Sequence, residues 1–412
     1  MQTRAHEPKP AGVNSAVTHA LGWLVAGNSV GLYLSYLLLH PAWQLGPWSY
    51  GRWVPVHLNV QLYGWTALPL VAWLLSIYEV DRSRAAVWGP AAVWAWSGAL
   101  ALGFGQWLGG VTSGKIFLDW KSGALWALLA AMVFLWCVLT AAWQERSGAW
   151  TPARKRRTLV GLLGLALVPA ALLFAASPAV YPPIDRTTGG PTGSSLLGSA
   201  LAVVGLMLIL PRAVALPRAG RETRAIWIFF GFSWLFFGVM EAIGGTHHDA
   251  HQIASMLLLL PWVWWLPNDW GRFAWPAGAR VWRGAMFGWW GLLVVSGLVM
   301  YQPGVLDRLK FTNGLVAHSH LAMAGFTTSF CALLLVLLTR RRLGHPATVV
   351  VWQLSALAMI VTLAVVGWRE GAGPAWMTTQ PAWRTLGWLV RAHCGELMLV
   401  AALCWWWERR EI

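Results

Sequence analysis

Apolar runs close to the ~20 residues a helix needs to cross a bilayer recur from one end of this chain to the other. Windows of about 19 residues resolve twelve candidate spans, at about 16–39, 54–79, 87–109, 122–143, 157–176, 193–212, 225–246, 250–267, 281–300, 314–338, 348–368 and 384–407. A chain patterned this way has to satisfy its backbone polar groups inside each span, and for apolar segments of this length the helix does that. The expected fold is therefore an all-α integral membrane protein of about twelve transmembrane helices. Charged residues are 11% of the chain, against about 25% in ordinary soluble proteins, too few to cover a globular core of this size. A soluble enzyme and a disordered chain are excluded on that ground.

No Gly/Ser linker or low-complexity block interrupts the series, so a single membrane domain over residues 1–412 is expected, with residues 1–15 as a polar tail. That tail predicts no cleavable signal peptide ahead of the first span. The four cysteines, Cys137, Cys331, Cys394 and Cys404, lie inside apolar runs without CxxC or CxxCH spacing, which argues against covalent c-type haem and against a disulfide framework.

The net charge of +15 invites a search for an acidic partner until the bases are sorted by loop. With the N-terminus inside, 21 of the 30 Lys and Arg fall in inner loops, and nine fall outside: Arg52, Lys115, Lys121, Arg186, Arg308, Lys310, Arg369, Arg384 and Arg391. The positive-inside rule then puts both termini in the cytoplasm. The surplus charge records orientation, and nucleic-acid binding is not expected; the environment is membrane lipid.

Histidines supply the chemistry. His6, His19, His40 and His345 fall in the tail, at span ends or in loops, as solvated or interfacial side chains do. In the topology above, His57, His318 and His320 lie within a turn or two of the outer starts of the second and tenth spans, and His247 and His248 lie at the outer end of the seventh. Five histidines from three distant segments are thus expected at one depth, and ionisable groups there are costly and tend to be functional. His318 and His320 are about 200° apart on an intact helix, so they suit two cofactors flanking that helix better than one ion. His247 and His248 can converge on one metal, since imidazole suits iron, copper and zinc. His57 can supply the opposite axial ligand of one flanking haem. The alternative is five helix-end histidines hydrogen-bonded to carbonyls or water.

The segments GRWVPVHLNVQLYGW, GGTHHDAHQIASMLLLLPWVWW, FTNGLVAHSHLAMAG, REGAGPAW and LGWLVRAHCGELMLV resemble subunit I of the haem-copper oxidases, closest to the cbb-type (C-family) cytochrome c oxidases and the related nitric oxide reductases. The resemblance runs from Gly22 to Trp407 and implies a subunit I-like bundle. It implies a low-spin haem b on His57 and His320, and a high-spin haem b on His318 with its distal face open to a gas molecule. It further implies a non-haem metal, iron or copper, on His247 and His248. Electrons would come from a c-type cytochrome subunit or soluble cytochrome c on the outer side of a bacterial or archaeal cytoplasmic (inner) membrane.

Two departures stand against that pattern. The family's third histidine ligand, from the start of the sixth helix, falls here at about Pro191, with Thr192, Ser194 and Ser195 as poor substitutes. The site lacks that ligand unless Asp249 or His251, within four residues of the pair, moves in; the alternative is that both cap the eighth helix. The tyrosine of the cbb-type seventh helix is also absent, and Glu241 stands in its place. Seven residues, about 700°, separate Glu241 from His248, which on a continuous helix puts them on nearly one face. Glu241 can therefore ligate iron or deliver protons, as glutamate does beside the iron of nitric oxide reductases; the alternative is a lone hydrogen-bonded carboxylate. His393 and Glu396, spaced i, i+3, form a candidate internal polar pair. Lys115, Asp119, Arg369, Glu370 and Arg391 are candidates to pair with haem propionates.

The expected function is a catalytic subunit of a respiratory gas reductase, with NO favoured over O2 because coupling two NO molecules requires no O–O cleavage and no tyrosine. The alternative is a non-catalytic dihaem b subunit that only passes electrons, and the missing sixth-helix ligand motivates it.

Overall fold

The computed structural model describes residues 11–177, 193–214, 216, 224–373 and 381–410. No strand forms among them. Among the described residues eleven helices are long and apolar enough to cross a membrane, and they follow the hydropathy windows to within a few residues. They are α1 (Ala11–Leu39), α2 (Tyr50–Arg82), α3 (Arg84–Leu108), α4 (Ser122–Ala149) and α5 (Pro152–Ala176), then α6 (Gly193–Ala213) and α7 (Arg224–Ile243). After the segment expected as the eighth span come α9 (Ala277–Met300), α10 (Asn313–Thr339), α11 (Pro346–Glu370) and α12 (Pro381–Arg410).

The eighth segment, α8, covers residues 250–270 but is not one helix. It runs as Ala250–Ser255, a tighter turn over Met256–Leu259, and Leu260–Trp270. Pro261 explains the break: it has no N–H to give the Leu257 carbonyl, and its ring crowds that carbonyl. Instead the Leu260 amide reaches back to Leu257.

Large apolar side chains face outward along these helices. On α5, Leu163, Leu167 and Phe174 are exposed while Leu162 and Leu172 are buried, and on α7, Ile228, Leu235 and Val239 are exposed. Apolar surface on this scale marks a membrane environment. The chain is an all-α integral membrane protein.

Two compact units divide it: Met1–Pro183 with Leu334–Val349 and Gly395–Ile412, and Ile184–Leu333 with Val350–Cys394. In the first unit α1 packs along α2 and α3, and α4 packs on α3 and α5. The helix α1 begins earlier than hydropathy alone sets it. Gly12 and Val13 are buried, and their amides meet the Asp81 carboxylate at 2.8 and 3.4 Å, which satisfies donors every helix start leaves open. In the second unit α6 packs on α7 and α8, and α9 on α8 and α10. There Arg212 grips the buried Asp269 through two nitrogens, at 2.8 and 2.9 Å.

Candidate functional site

The histidine-bearing helices α2 and α10 share a local design. Each widens into a π turn, over Val60–Thr66 and Leu321–Thr327. Each of these segments begins three residues after a histidine, His57 in one and His318 in the other. Beneath the shared geometry lies a shared pattern: HLNVQLYGWT (57–66) and HSHLAMAGFT (318–327) both read His, six residues, Gly, aromatic, Thr. The glycine admits an indole from the preceding helix group. A Cβ on Gly64 would come within 2.6 Å of Trp23 on α1, and one on Gly325 within 2.6 Å of Trp289 on α9.

The following helix closes each π turn in the same way. Trp96 on α3 donates its indole N–H to the Tyr63 carbonyl at 2.8 Å, and Trp352 on α11 donates to the Ala324 carbonyl at 3.0 Å. Both carbonyls lie six residues after the histidine. Trp23 in turn donates to Ser97, the neighbour of Trp96, and Trp289 donates to Gln353, the neighbour of Trp352. Thus α1–α3 and α9–α11 are two copies of one arrangement, each built around a histidine. Single-turn π insertions of this kind gather at functional sites.

The hydrogen bonds of these histidines fix how the rings can be used. His57 Nδ1 lies 2.8 Å from the Gly27 carbonyl, and His320 Nδ1 lies 2.8 Å from the Val316 carbonyl. A carbonyl only accepts, so each Nδ1 carries a proton. His318 Nδ1 lies 3.1 Å from Ser296 Oγ, whose own proton goes to the Leu293 carbonyl at 3.2 Å. With its proton so placed, that hydroxyl can accept from His318 Nδ1–H. An imidazole held by its Nδ1–H and offering Nε2 is the form that binds a metal, oriented and made more basic by the outer partner. Glycine also makes room for the His57 ring: a Cβ on Gly31 would lie 2.7 Å from it, whereas one on Gly297 would make ordinary contact with His318 at 3.6 Å.

His247 and His248 differ from the sequence expectation in their setting. Helix α7 ends at Ile243, and Gly244 and Gly245, at φ of 72° and 105°, turn the chain sharply. The pair therefore lies beyond the helix. The two-turn spacing from Glu241 presumes helical continuity that the glycines break. Glu241 is exposed on the last turn of α7.

Asp249 and His251 build that turn. The Asp249 carboxylate accepts from the Thr246 amide at 2.6 Å and from its hydroxyl at 3.2 Å, and these bonds hold its pKa below the usual carboxylate value. His251 Nε2 meets the Gly244 carbonyl at 2.8 Å, where Gln252 also donates at 2.7 Å. Asp249 is the first residue before α8, yet its side chain caps no α8 amide.

The turn brings the two imidazoles together, centroids 4.0 Å apart, onto a carboxylate the sequence reading did not single out. Asp307 Oδ1 is 3.2 Å from His247 Nε2, and Oδ2 is 2.8 Å from His248 Nε2. Asp307 sits on the short helix Val305–Leu309, entered through Gly304 at φ 77°. Lys310 donates to its Oδ1 at 2.9 Å; this bond first, then those from the two histidines, hold the Asp307 pKa far below the usual carboxylate range against the opposing pull of burial. Donor atoms of His247, His248 and Asp307 all lie within 4.8 Å of one another.

The remaining candidates have identifiable partners. Lys115 caps α5 through the Ala175 and Ser177 carbonyls. Asp119 accepts from Asn59 at 3.1 Å. Glu370 accepts from the Asn313 amide and side chain, both at 2.7 Å, and so caps α10. Glu396 accepts from the Tyr36 hydroxyl. Arg391 is buried on α12, and His393 and Arg369 lie on α12 and α11. His19 is bonded to Ser97, and His40 stacks on Trp43. Pro191, Thr192, Arg186 and His6 lie outside the described residues, as do the side chains of Ser194 and Ser195. Compared with known proteins, the chain matches no protein-family model and no curated protein.

Proposed function

We propose that this chain is the catalytic subunit of a respiratory gas reductase similar to subunit I of the haem-copper oxidases. His57 and His320 are the proposed ligands of a low-spin haem b, His318 is that of a high-spin haem b, and His247 and His248 carry a non-haem metal. One observation carries the reading: three histidines, on two helices of the same π-turn design, all set Nδ1 against an oxygen. A histidine kept only for packing has no need of one ring orientation three times over.

Bound haem supplies one-electron chemistry and an open iron position for a diatomic gas, which no side chain provides. The chain's own contribution is to hold the imidazoles. Gly27, Ser296 and Val316 orient the rings, and Gly31 leaves room for His57. The indoles of Trp96 and Trp352 keep the π turns closed beneath.

NO is the favoured substrate. The helix α7 has no tyrosine to assist O–O cleavage, and joining two NO molecules takes two electrons and two protons only. Glu241, in the last turn of α7, is the proposed proton carrier. The positive-inside bias supports both termini on the cytoplasmic side; a bacterial or archaeal cytoplasmic membrane and a c-type cytochrome as outer donor are what the resemblance implies.

Elemental analysis and CO difference spectra of the purified protein test this. The expected result is two haems b, one of them binding CO, and non-haem metal in near-stoichiometric amount. His57→Ala is expected to remove the low-spin spectrum and leave CO binding, and His318→Ala to remove CO binding. Two six-coordinate haems without CO reactivity and without further metal would instead support a subunit that only transfers electrons.

A further inference from the structure

The sequence leaves the non-haem metal one ligand short, and we infer that Asp307 supplies it, so that His247, His248 and Asp307 hold iron(II). The inference rests on the reading of His247 and His248 as the metal-bearing pair, and it adds a ligand from a different segment of the chain.

Geometry is the first support. Asp307 is 59 and 60 residues from the two histidines in sequence, yet each carboxylate oxygen addresses one imidazole, at 2.8 and 3.2 Å. Adjacent residues ordinarily point their side chains apart. Here the Gly244–Gly245 turn, tied by Thr246, Asp249 and His251, brings both rings to the same acid. A Cβ on Gly245 would lie 2.8 Å from Asp249 Oδ2 and 3.0 Å from His251 Nε2, so the turn is available only to glycine. Asp249 and His251, the sequence-based candidates for the vacant ligand, are spent on building it.

The second support is access to the site. His247 is only 4% exposed. The other end of the site is open, with the His248 side chain 55% and Asp307 37% exposed, so an ion can enter and keep coordination positions for a small molecule.

Donor chemistry narrows the metal. Two imidazoles and one carboxylate with open positions suit non-haem iron(II) and catalytic zinc, whereas copper(II) favours a square of nitrogen and oxygen donors; of the first two only iron can pass electrons to a bound gas. Lys310 shares Asp307 Oδ1 at 2.9 Å. Its ammonium occupies an oxygen the ion needs, so it acts as a competing cation in the metal-free site.

The test is anaerobic iron(II) titration of the purified, haem-loaded full chain, followed by chelator competition and the ratio of total iron to haem. Wild type is expected to take up one iron beyond its haem iron. Asp307→Asn, similar in size but neutral, is expected to weaken that binding by more than about 100-fold, above the 10–100-fold that outer partners of ligands are worth. Asp307→Glu should retain part of the affinity, and Lys310→Met should bind at least as tightly as wild type. Unchanged haem spectra show that each variant is folded. Equal affinity in Asp307→Asn and wild type would overturn the assignment of Asp307 while leaving the metal pair standing. Absence of non-haem iron uptake by wild type would overturn both, and uptake of zinc without iron(II) would overturn the choice of metal.

Discussion

Trp352 donates its indole N–H to the Ala324 carbonyl at 3.0 Å, inside the π turn that follows His318 on α10. Trp96 makes the same bond to Tyr63 at 2.8 Å after His57 on α2. A π turn leaves the regular ladder with a carbonyl to satisfy, and inside a membrane an unsatisfied carbonyl is costly. The indole meets that need and ties the histidine-bearing helix to its neighbour.

Replacing Trp352 with Phe keeps the ring's bulk and removes the donor. The half-buried Ala324 carbonyl then costs at most about 1–3 kcal/mol, to be seen as a lower thermal midpoint in detergent. The high-spin haem spectrum is expected to shift while the low-spin spectrum stays. Trp96→Phe should reverse that selectivity. A variant that disturbs both haems equally would separate the indoles from the individual sites.

Hydropathy locates nearly every helix because each span is a local property of about 20 consecutive residues. Its errors are local too. Pro261 breaks α8, and Gly244–Gly245 stop α7 three residues before the apolar window closes. The histidines could be singled out for the same reason, as costly groups at readable positions. Asp307 could not, because its meaning lies in a contact across about 60 residues that no spacing rule encodes. The twofold His-x6-Gly-aromatic-Thr pattern was written in the sequence. What it signifies, an indole closing a widened turn, appears only when α3 and α11 are in place.

Arg212 and Asp269 predict a stability effect far from any histidine. Asp269 is 3% exposed and meets the guanidinium through both oxygens. Arg212→Ala leaves a buried carboxylate without its counterion, a loss of about 3–5 kcal/mol, measurable by thermal or denaturant unfolding. Arg212→Lys should recover only part, since one ammonium cannot reproduce the two-pronged contact. Full recovery would argue that charge alone holds α6 to α8.

Asp119, in the loop after α3, is buried, and desolvation raises its pKa above the ordinary value despite bonds from Asn59 and the Gly114 amide. For a carboxyl with a raised folded pKa, the folded state binds the proton more tightly. Its contribution to stability is therefore complete below the ordinary Asp pKa and is lost as pH rises through the raised one. Asp119→Asn should remove this dependence. Its thermal midpoint should match wild type in acid and exceed it at neutral pH, and equal midpoints across the range would contradict the burial argument.

Gly31 and Gly297 form a graded pair. Each lies against the histidine ring of its own helix group, and an added Cβ would stand 2.7 Å from His57 Cε1 at Gly31 but 3.6 Å from His318 Cε1 at Gly297. The first distance is an overlap that the His57 ring can relieve only by moving off its bond to Gly27. The second is ordinary contact. Gly31→Ala is expected to lower low-spin haem occupancy severely while leaving the CO-binding haem in place. Gly297→Ala should leave both haems bound and alter only the high-spin spectrum, through closer packing on His318. Haem quantification with CO difference spectra on the two variants reads both outcomes. Severe loss in Gly297→Ala with little effect in Gly31→Ala would reverse the expected order and sink the role assigned to these glycines.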